Sequence, residues 1–321
     1  MALHGIEHYG DCDGDGFVEY SRSSPKGLIQ QGWKDSWDSV SHSDGALAQG
    51  PIALCEVQGY VYAARLAGAT IATALARRKK ARTLTARAES LKEQFQNEFW
   101  CRDLLTYALA LDGDKRQCRV VSSNPGHCLL MGIADAESAK SIARILMQEN
   151  SFTGWGVRTL GFSEARFNPM SYHNGSVWPH DNAMIAAGLA RYGFKDEANR
   201  ILGGLFDASL SVEYRLPELF CGFYRRRGAG PVPYPTACSP QAWSAASVFL
   251  LLQAILGMSI DAAHARLSFV RPVLPSFLDE VRIQNLRVGA ASVDVLVTRR
   301  AQYATVQVER REGRVELLTE A

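Results

Sequence analysis

Apolar positions recur three and four residues apart from Leu54 to Leu75, in a stretch rich in Ala and Leu with Pro51 just ahead, and this spacing predicts a long helix. A second helical pattern runs from about Leu84 to Phe99, so the run Arg77-Arg78-Lys79-Lys80-Ala81-Arg82 reads as the solvated junction of an antiparallel helix pair. The helical period returns at Glu137–Glu149, Asn182–Tyr192, Lys195–Leu210 and Gln241–Leu256, and Met1–Tyr9 reads as the last turns of another helix. Long loops rich in Gly, Pro, Asn and Trp separate them. Plain helices alternating with aromatic, polar loops suggest a helical toroid whose loops at one end build a site. From about Leu267 the period falls to two: Val293–Val297, Thr305–Glu309 and Val315–Leu317 read as strands, with a turn at Glu312-Gly313. The expected division is a helical domain over 1–265 and a small antiparallel β unit over 266–321, entered through Pro272 and Pro275.

Composition narrows the function without choosing it. The 321 residues are 47% hydrophobic, with 35 Lys+Arg against 33 Asp+Glu, which excludes disorder and leaves no net field to hold a polyanion. Nucleic acid is therefore not an expected partner. The most apolar stretch, Ala245–Met258, is broken by Gln253 and is shorter than the ~20 residues of a membrane-spanning helix. Seven cysteines at irregular spacing, without a CxxC pair, predict reduced thiols and a cytoplasmic location. The amino-terminus shows no signal-peptide pattern.

The chemistry lies in the loops. Gln31–Asp38, Gly154–Thr159, Asn168–Asn182 and Arg215–Phe220 each set Trp, Tyr, Phe or Arg beside carboxylates, amides, hydroxyls or His. That mixture suits a sugar, whose C–H faces rest on aromatic rings while its hydroxyls need donors and acceptors. No GxGxxG or P-loop is present to hold a nucleotide. Glycoside cleavage needs two carboxyl groups, and Asp35 and Glu218 are the expected pair. Asp35 stands between Trp33 and Trp37, where a partly dehydrated aromatic setting favours the protonated carboxyl of a general acid; Lys34 opposes this if it points the same way. Trp33, Trp37 and Trp178 are expected as the sugar platform. Lys34, Arg158, Tyr172, His173, Asn174, His180 and Asp181 are expected to bind the substrate.

Two other patterns lie near the amino-terminus. His4-Gly-Ile-Glu-His8 matches an HxxEH zinc-peptidase pattern by chance, with no later carboxylate motif behind it. Asp11-Cys-Asp-Gly-Asp-Gly16 matches the first half of an EF-hand loop, with Asp11, Asp13, Asp15, the Phe17 carbonyl and Glu19 as ligands, but Arg22 stands where the bidentate Glu belongs. The loop is expected either to hold calcium with help from a distant carboxylate, or to be an Asx-rich turn in which Arg22 pairs with the acids.

GDCDGDGFVEY, QGWKDSWDSV, PIALCEVQGYVYAA, SNPGH, GWGVRTL, FNPMSYHNGSVWPHDNAMIAAGL, RLPELFCGF and YPTACSPQAWSAAS resemble the C-terminal catalytic domain of bacterial amylo-α-1,6-glucosidase (glycogen-debranching-enzyme-like) proteins. They are also similar to the wider group of inverting (α/α)6-barrel glycosidases that includes mannosylglycerate hydrolases. The resemblance implies an (α/α)6 toroid, with the general acid falling on Asp35 and the general base on Glu218. It further implies an N-terminally truncated toroid that needs a missing N-terminal domain or a homo-oligomer. The expected substrate is an α-glucan or small α-glucoside; the alternative is a catalytically incomplete carbohydrate-binding fragment of such an enzyme.

Overall fold

The computed structural model describes residues 2–301 and 303–320. Up to Leu256 the chain is built mainly from helices: α1 Ala2–Gly5, continued by a π-helical turn over Ile6–Gly10, then α2 Cys55–Ala74, α3 Arg78–Phe99, α4 Asn124–Met131, α5 Ala136–Leu146, α6 Pro179–Arg191, α7 Lys195–Ser209 and α8 Ala242–Leu256, with four two-residue strands, β1 Ala53–Leu54, β2 Trp100–Cys101, β3 Thr106–Tyr107 and β4 Ala110–Leu111, paired as β1-β4 and β2-β3. The basic run is helical from Arg78, with only Arg77 left in the junction, because α3 begins at Arg78 and buries Ala81, Leu84, Ala88, Leu91, Phe95 and Phe99 at helical spacing while its basic side chains face water. Asp135 caps α5 by accepting the Ser138 N–H at 2.7 Å, and Ala139, Ile142, Ala143 and Leu146 form its buried face.

α2, α4, α6 and α8 pack on one another in series, backed by α3 behind α2, α5 behind α4 and α7 behind α6. The result is an arc of alternating inner and outer helices. Two glycines let the inner helices approach: a Cβ on Gly188 would stand 2.7 Å from the Gly126 carbonyl oxygen, and one on Gly126 would stand 2.5 Å from Ile185 Cγ1. The N-terminal ends of these inner helices carry Glu56, Asn124, His127, His180, Asp181 and Trp243. Helix N-termini favour negative charge, so this end suits carboxylate chemistry.

The sheet region reaches further back than expected, to Met258. Strands β5 Met258–Asp261, β6 Arg266–Val270, β7 Glu280–Val288, β8 Ala291–Arg299, β9 Ala304–Glu312 and β10 Glu316–Glu320 form two three-stranded sheets, ordered β10-β6-β5 and β7-β8-β9. One ladder departs from the antiparallel expectation: β10 runs parallel to β6. Val293, Val295 and Val297 of β8 join Leu251, Ile255 and Phe269 in the core that also holds the inner helices.

Candidate active site

The segment 31–38 reaches the site as a loop anchored from below. Lys34 is buried and points inward, its Nζ donating to Asn124 Oδ1 at 2.6 Å and to the Thr159 carbonyl at 2.7 Å. Burial lowers its pKa to about 8, against the opposing pull of Asp181 and Glu56. Lys34 is thus a loop anchor on α4, not a group facing the sugar or opposing Asp35. The Asp35 side chain is 54% exposed, so the dehydrated setting expected from its neighbours is not built by the protein alone. Its Oδ1 stands 3.9 Å from His173 Nδ1.

Glu218 is buried. Its Oε1 accepts the Tyr172 hydroxyl at 2.7 Å and its Oε2 accepts the Cys238 N–H at 3.3 Å. A backbone bridge between Val177 and Phe220 ties its strand-like segment to the 168–182 loop. The Tyr172 phenol is pushed well above its ordinary range by burial, by its bond to Glu218 and by the charges of Glu218 and then Asp35. Tyr172 is therefore within electrostatic reach of both carboxyls.

Trp178 is a hub and not an open platform. At 1% exposure it donates from Nε1 to the Tyr172 carbonyl (3.0 Å) and to Ser176 Oγ (2.9 Å), and stacks on His173 at 5.1 Å and 14°. Trp37, 59% exposed, and the partly buried Trp33 remain accessible, and Trp243, 41% exposed, joins them by stacking on His180 at 4.2 Å. Burial lowers the His180 imidazole to about 4, so it is neutral.

Arg158 and Asn174 are spent inside the protein, whereas buried Asp181 keeps Oδ2 without a hydrogen-bond partner among the described residues. Arg158 is buried, donating to the carbonyls of Gly222 (2.8 Å), Glu149 (3.0 Å) and Asn150 (3.2 Å), with its guanidinium over Tyr224. Buried Asn174 donates from Nδ2 to the Asp38 carbonyl at 3.2 Å. Asp181 is fully buried: desolvation alone would raise its carboxyl, but His127, Lys34 and His180 hold it below the ordinary value. Its Oδ1 meets His127 Nε2 at 2.7 Å, and His127 Nδ1 meets the Tyr60 hydroxyl at 2.6 Å. This chain crosses α2, α4 and α6 beneath Trp33, whose ring stacks on His127 at 5.9 Å.

Tyr60, Asn124, His127, Cys238 and Trp243 are not among the site residues expected from the sequence. All lie in the stretches EVQGY, SNPGH, YPTAC and PQAW, so those stretches were the available signal; their partners lie too far along the chain to be inferred.

At the acidic loop the cation is Lys115, not Arg22. Its Nζ lies 2.7 Å from Asp13 Oδ2, 2.6 Å from Asp15 Oδ2 and in contact with Glu19 Oε1. Asp11 accepts the Gly14 and Gly16 N–H groups at 2.8 and 3.1 Å, and Asp15 accepts that of Phe17 at 2.8 Å. Asp11, Asp13 and Asp15 can still bring one oxygen each within 4.8 Å of one another. Glu19 Oε2 is buried without a hydrogen-bond partner among the described residues, and burial raises that carboxyl.

A family model for the mannosylglycerate hydrolase MGH1-like glycoside hydrolase domain matches residues 18–218, a span holding both Asp35 and Glu218. Mannosylglycerate hydrolase MGH1 of Selaginella moellendorffii is 32% identical over 73 residues, which are 23% of this chain and 15% of that protein. Among solved structures, a GH78 family rhamnosidase of Bacillus sp. GL1 superposes on 99% of this chain and 30% of its own, with a TM-score of 0.64 at 16% identity. Neutral trehalase Nth1 from Saccharomyces cerevisiae covers 69% of this chain and 41% of its own, with a TM-score of 0.51 at 14% identity. At these identities the two structures show likeness of fold alone.

Proposed function

The chain belongs to the mannosylglycerate hydrolase MGH1-like glycoside hydrolase family, and from that premise we propose that it hydrolyses an α-linked glycoside by single displacement with inversion. Asp35 gives its proton to the glycosidic oxygen as the bond to the anomeric carbon breaks. Glu218 takes a proton from a water that bonds to that carbon on the opposite face. One observation carries this reading: the dipeptide Tyr172-His173 reaches both carboxyls, through a hydrogen bond to Glu218 at 2.7 Å and an approach to Asp35 at 3.9 Å. The Tyr172 hydroxyl and the Cys238 N–H fix where the Glu218 carboxyl points. A sugar resting on Trp33, Trp37 and Trp243 would displace the water around Asp35, supplying the desolvation that the acid role needs.

A debranching-type α-1,6-glucoside is the first substrate reading. The family match favours a second, a small glycoside of the mannosylglycerate kind. Incubation with isomaltose, p-nitrophenyl α-glucoside and mannosylglycerate, with the product anomer followed by proton NMR, tests both: the β-anomer appears first from an α-linked substrate. Early α-anomer overturns inversion, and binding without turnover by the chain supports the carbohydrate-binding alternative.

The same reading extends to the rest of the molecule. The alternation of α2, α4, α6 and α8 with outer helices supports an (α/α)6 toroid, and the exposed Ile71 on α2 and Val248 and Phe249 on α8 are faces that further helices continuing the alternation would cover; a concentration-dependent dimer in sedimentation would instead assign those faces to a second copy. Calcium is proposed among Asp11, Asp13, Asp15, the Phe17 carbonyl and Glu19, displacing Lys115. The support is geometric: Asp11, Asp13 and Asp15 offer oxygens within 4.8 Å of one another, and Glu19 Oε2 has no hydrogen-bond partner among the described residues. Among the described residues no helix is long and apolar enough to cross a membrane. The cysteines are all free, in keeping with a proposed cytoplasmic setting.

A further inference from the structure

A general acid must be aimed, and the half-exposed Asp35 carboxyl is approached by His173 Nδ1 at 3.9 Å. The tether lies one residue further on. Both the N–H of Ser36, at 3.3 Å, and its hydroxyl, at 2.8 Å, address Nδ1 of His173. A backbone N–H can only donate, so Nδ1 presents a lone pair and the imidazole proton sits on Nε2. The ring itself is held: it stacks on Trp178 at 5.1 Å and 14°, meets Trp33 edge-on at 5.7 Å, and is 1% exposed.

We propose that His173 is the positioning residue of the acid loop: by accepting both Ser36 donors at Nδ1 it sets where Asp35 points, and with Tyr172 on Glu218 it makes residues 172 and 173 the spacer between the two carboxyls. This rests on the functional reading above and departs from the expectation that His173 binds a sugar hydroxyl, since Nδ1 is already committed. The charged and titratable groups around the ring agree with a neutral acceptor. Burial, then the Lys34 ammonium and His180, lower its pKa to about 3 against the opposing Asp181.

The test uses His173→Phe, which keeps a ring against Trp178 but has no acceptor, and His173→Asn, whose Oδ1 restores one. NMR hydrogen exchange at the Ser36 amide should speed at least tenfold in the Phe variant and return toward wild type in the Asn variant, with protection in α4 and α6 unchanged in both. Where the chain hydrolyses a substrate, kcat should fall at least tenfold in the Phe variant with KM within twofold, and recover with Asn. An unchanged Ser36 amide, a raised KM at unchanged kcat, or a wild-type nitrogen spectrum placing the proton on Nδ1 overturns the proposal. The exchange and tautomer measurements need no substrate, so a wild-type chain without activity counts against the functional reading alone.

Discussion

Replacing Lys34 with Met removes a buried ammonium and leaves Asn124 Oδ1 and the Thr159 carbonyl without their donor. Each orphaned acceptor costs about 1–3 kcal/mol. Against this stands the penalty of burying the charge. The folded pKa of about 8 lies below the ordinary 10.5, a difference of about 2.5 pH units and, at 1.36 kcal/mol per unit, roughly 3 kcal/mol. At pH 7 lysine is protonated in both states, so the two terms oppose and the variant should lie within about 2 kcal/mol of wild type. Between pH 8 and 10.5 the unfolded chain still binds the proton that the folded chain has released, so the Lys34 contribution must raise wild-type stability with pH. Wild-type stability minus that of Lys34→Met should therefore rise by about 2 kcal/mol from pH 8 to 10. Urea unfolding of both proteins across that range, followed by tryptophan fluorescence, measures this difference. Taking the difference removes the contributions of Lys195 and of the buried thiols and phenols, which titrate nearby in both proteins. A difference that stays flat, or falls, means that the ammonium is not desolvated in the folded chain and refutes the reasoning.

Asp35→Asn and Glu218→Gln should each lower turnover about a hundredfold or more with melting unchanged, because each removes a proton-transfer group rather than packing; near-normal rates in either would remove the assignment. In a complex with a substrate analogue the two carboxyls should lie roughly 6.5–9.5 Å apart, and a crystal structure giving ~5 Å would instead point to a covalent intermediate. Gly188→Ala would press a methyl to 2.7 Å from the backbone of α4, so a loss of about 1–3 kcal/mol is expected, and an unshifted melting curve would show that the helices can separate without penalty. Calcium should raise the melting temperature and chelator reverse it, with Lys115→Met binding calcium more tightly than wild type; superimposable melts would leave the loop as a lysine-bridged turn.

Local signals carried much of the molecule. Periodicity located α2, α3 from Leu84 onward, α5, α6, α7 and α8, because one buried face repeats every 3.6 residues whatever it packs against. It missed α4, whose Asn124-Pro-Gly start reads as a turn; Pro belongs equally to a helix's first turn, and a helix buried nearly all round shows no polar face. It also missed the pairing of β10 with β6, since a strand's pattern does not state its neighbour or direction.

The candidate site divides in the same way. Residue types and order along the chain were enough to single out the loops bearing Asp35 and Glu218, because carboxylates among aromatic rings are a local composition. What each neighbour does was decided only when distant segments met. Lys34, Arg158, Asn174, Trp178 and Asp181 carry donors, acceptors or rings that look ready for a sugar, yet their partners come from positions up to 136 residues away, and those contacts bury them. The same holds for the acidic loop, where Lys115, 96 residues beyond Glu19, supplies the cation that the nearby Arg22 was expected to provide. A side chain's chemistry is written at its own position, but whether that chemistry faces solvent or is consumed inside the protein depends on which groups the folded chain brings within about 3 Å of it.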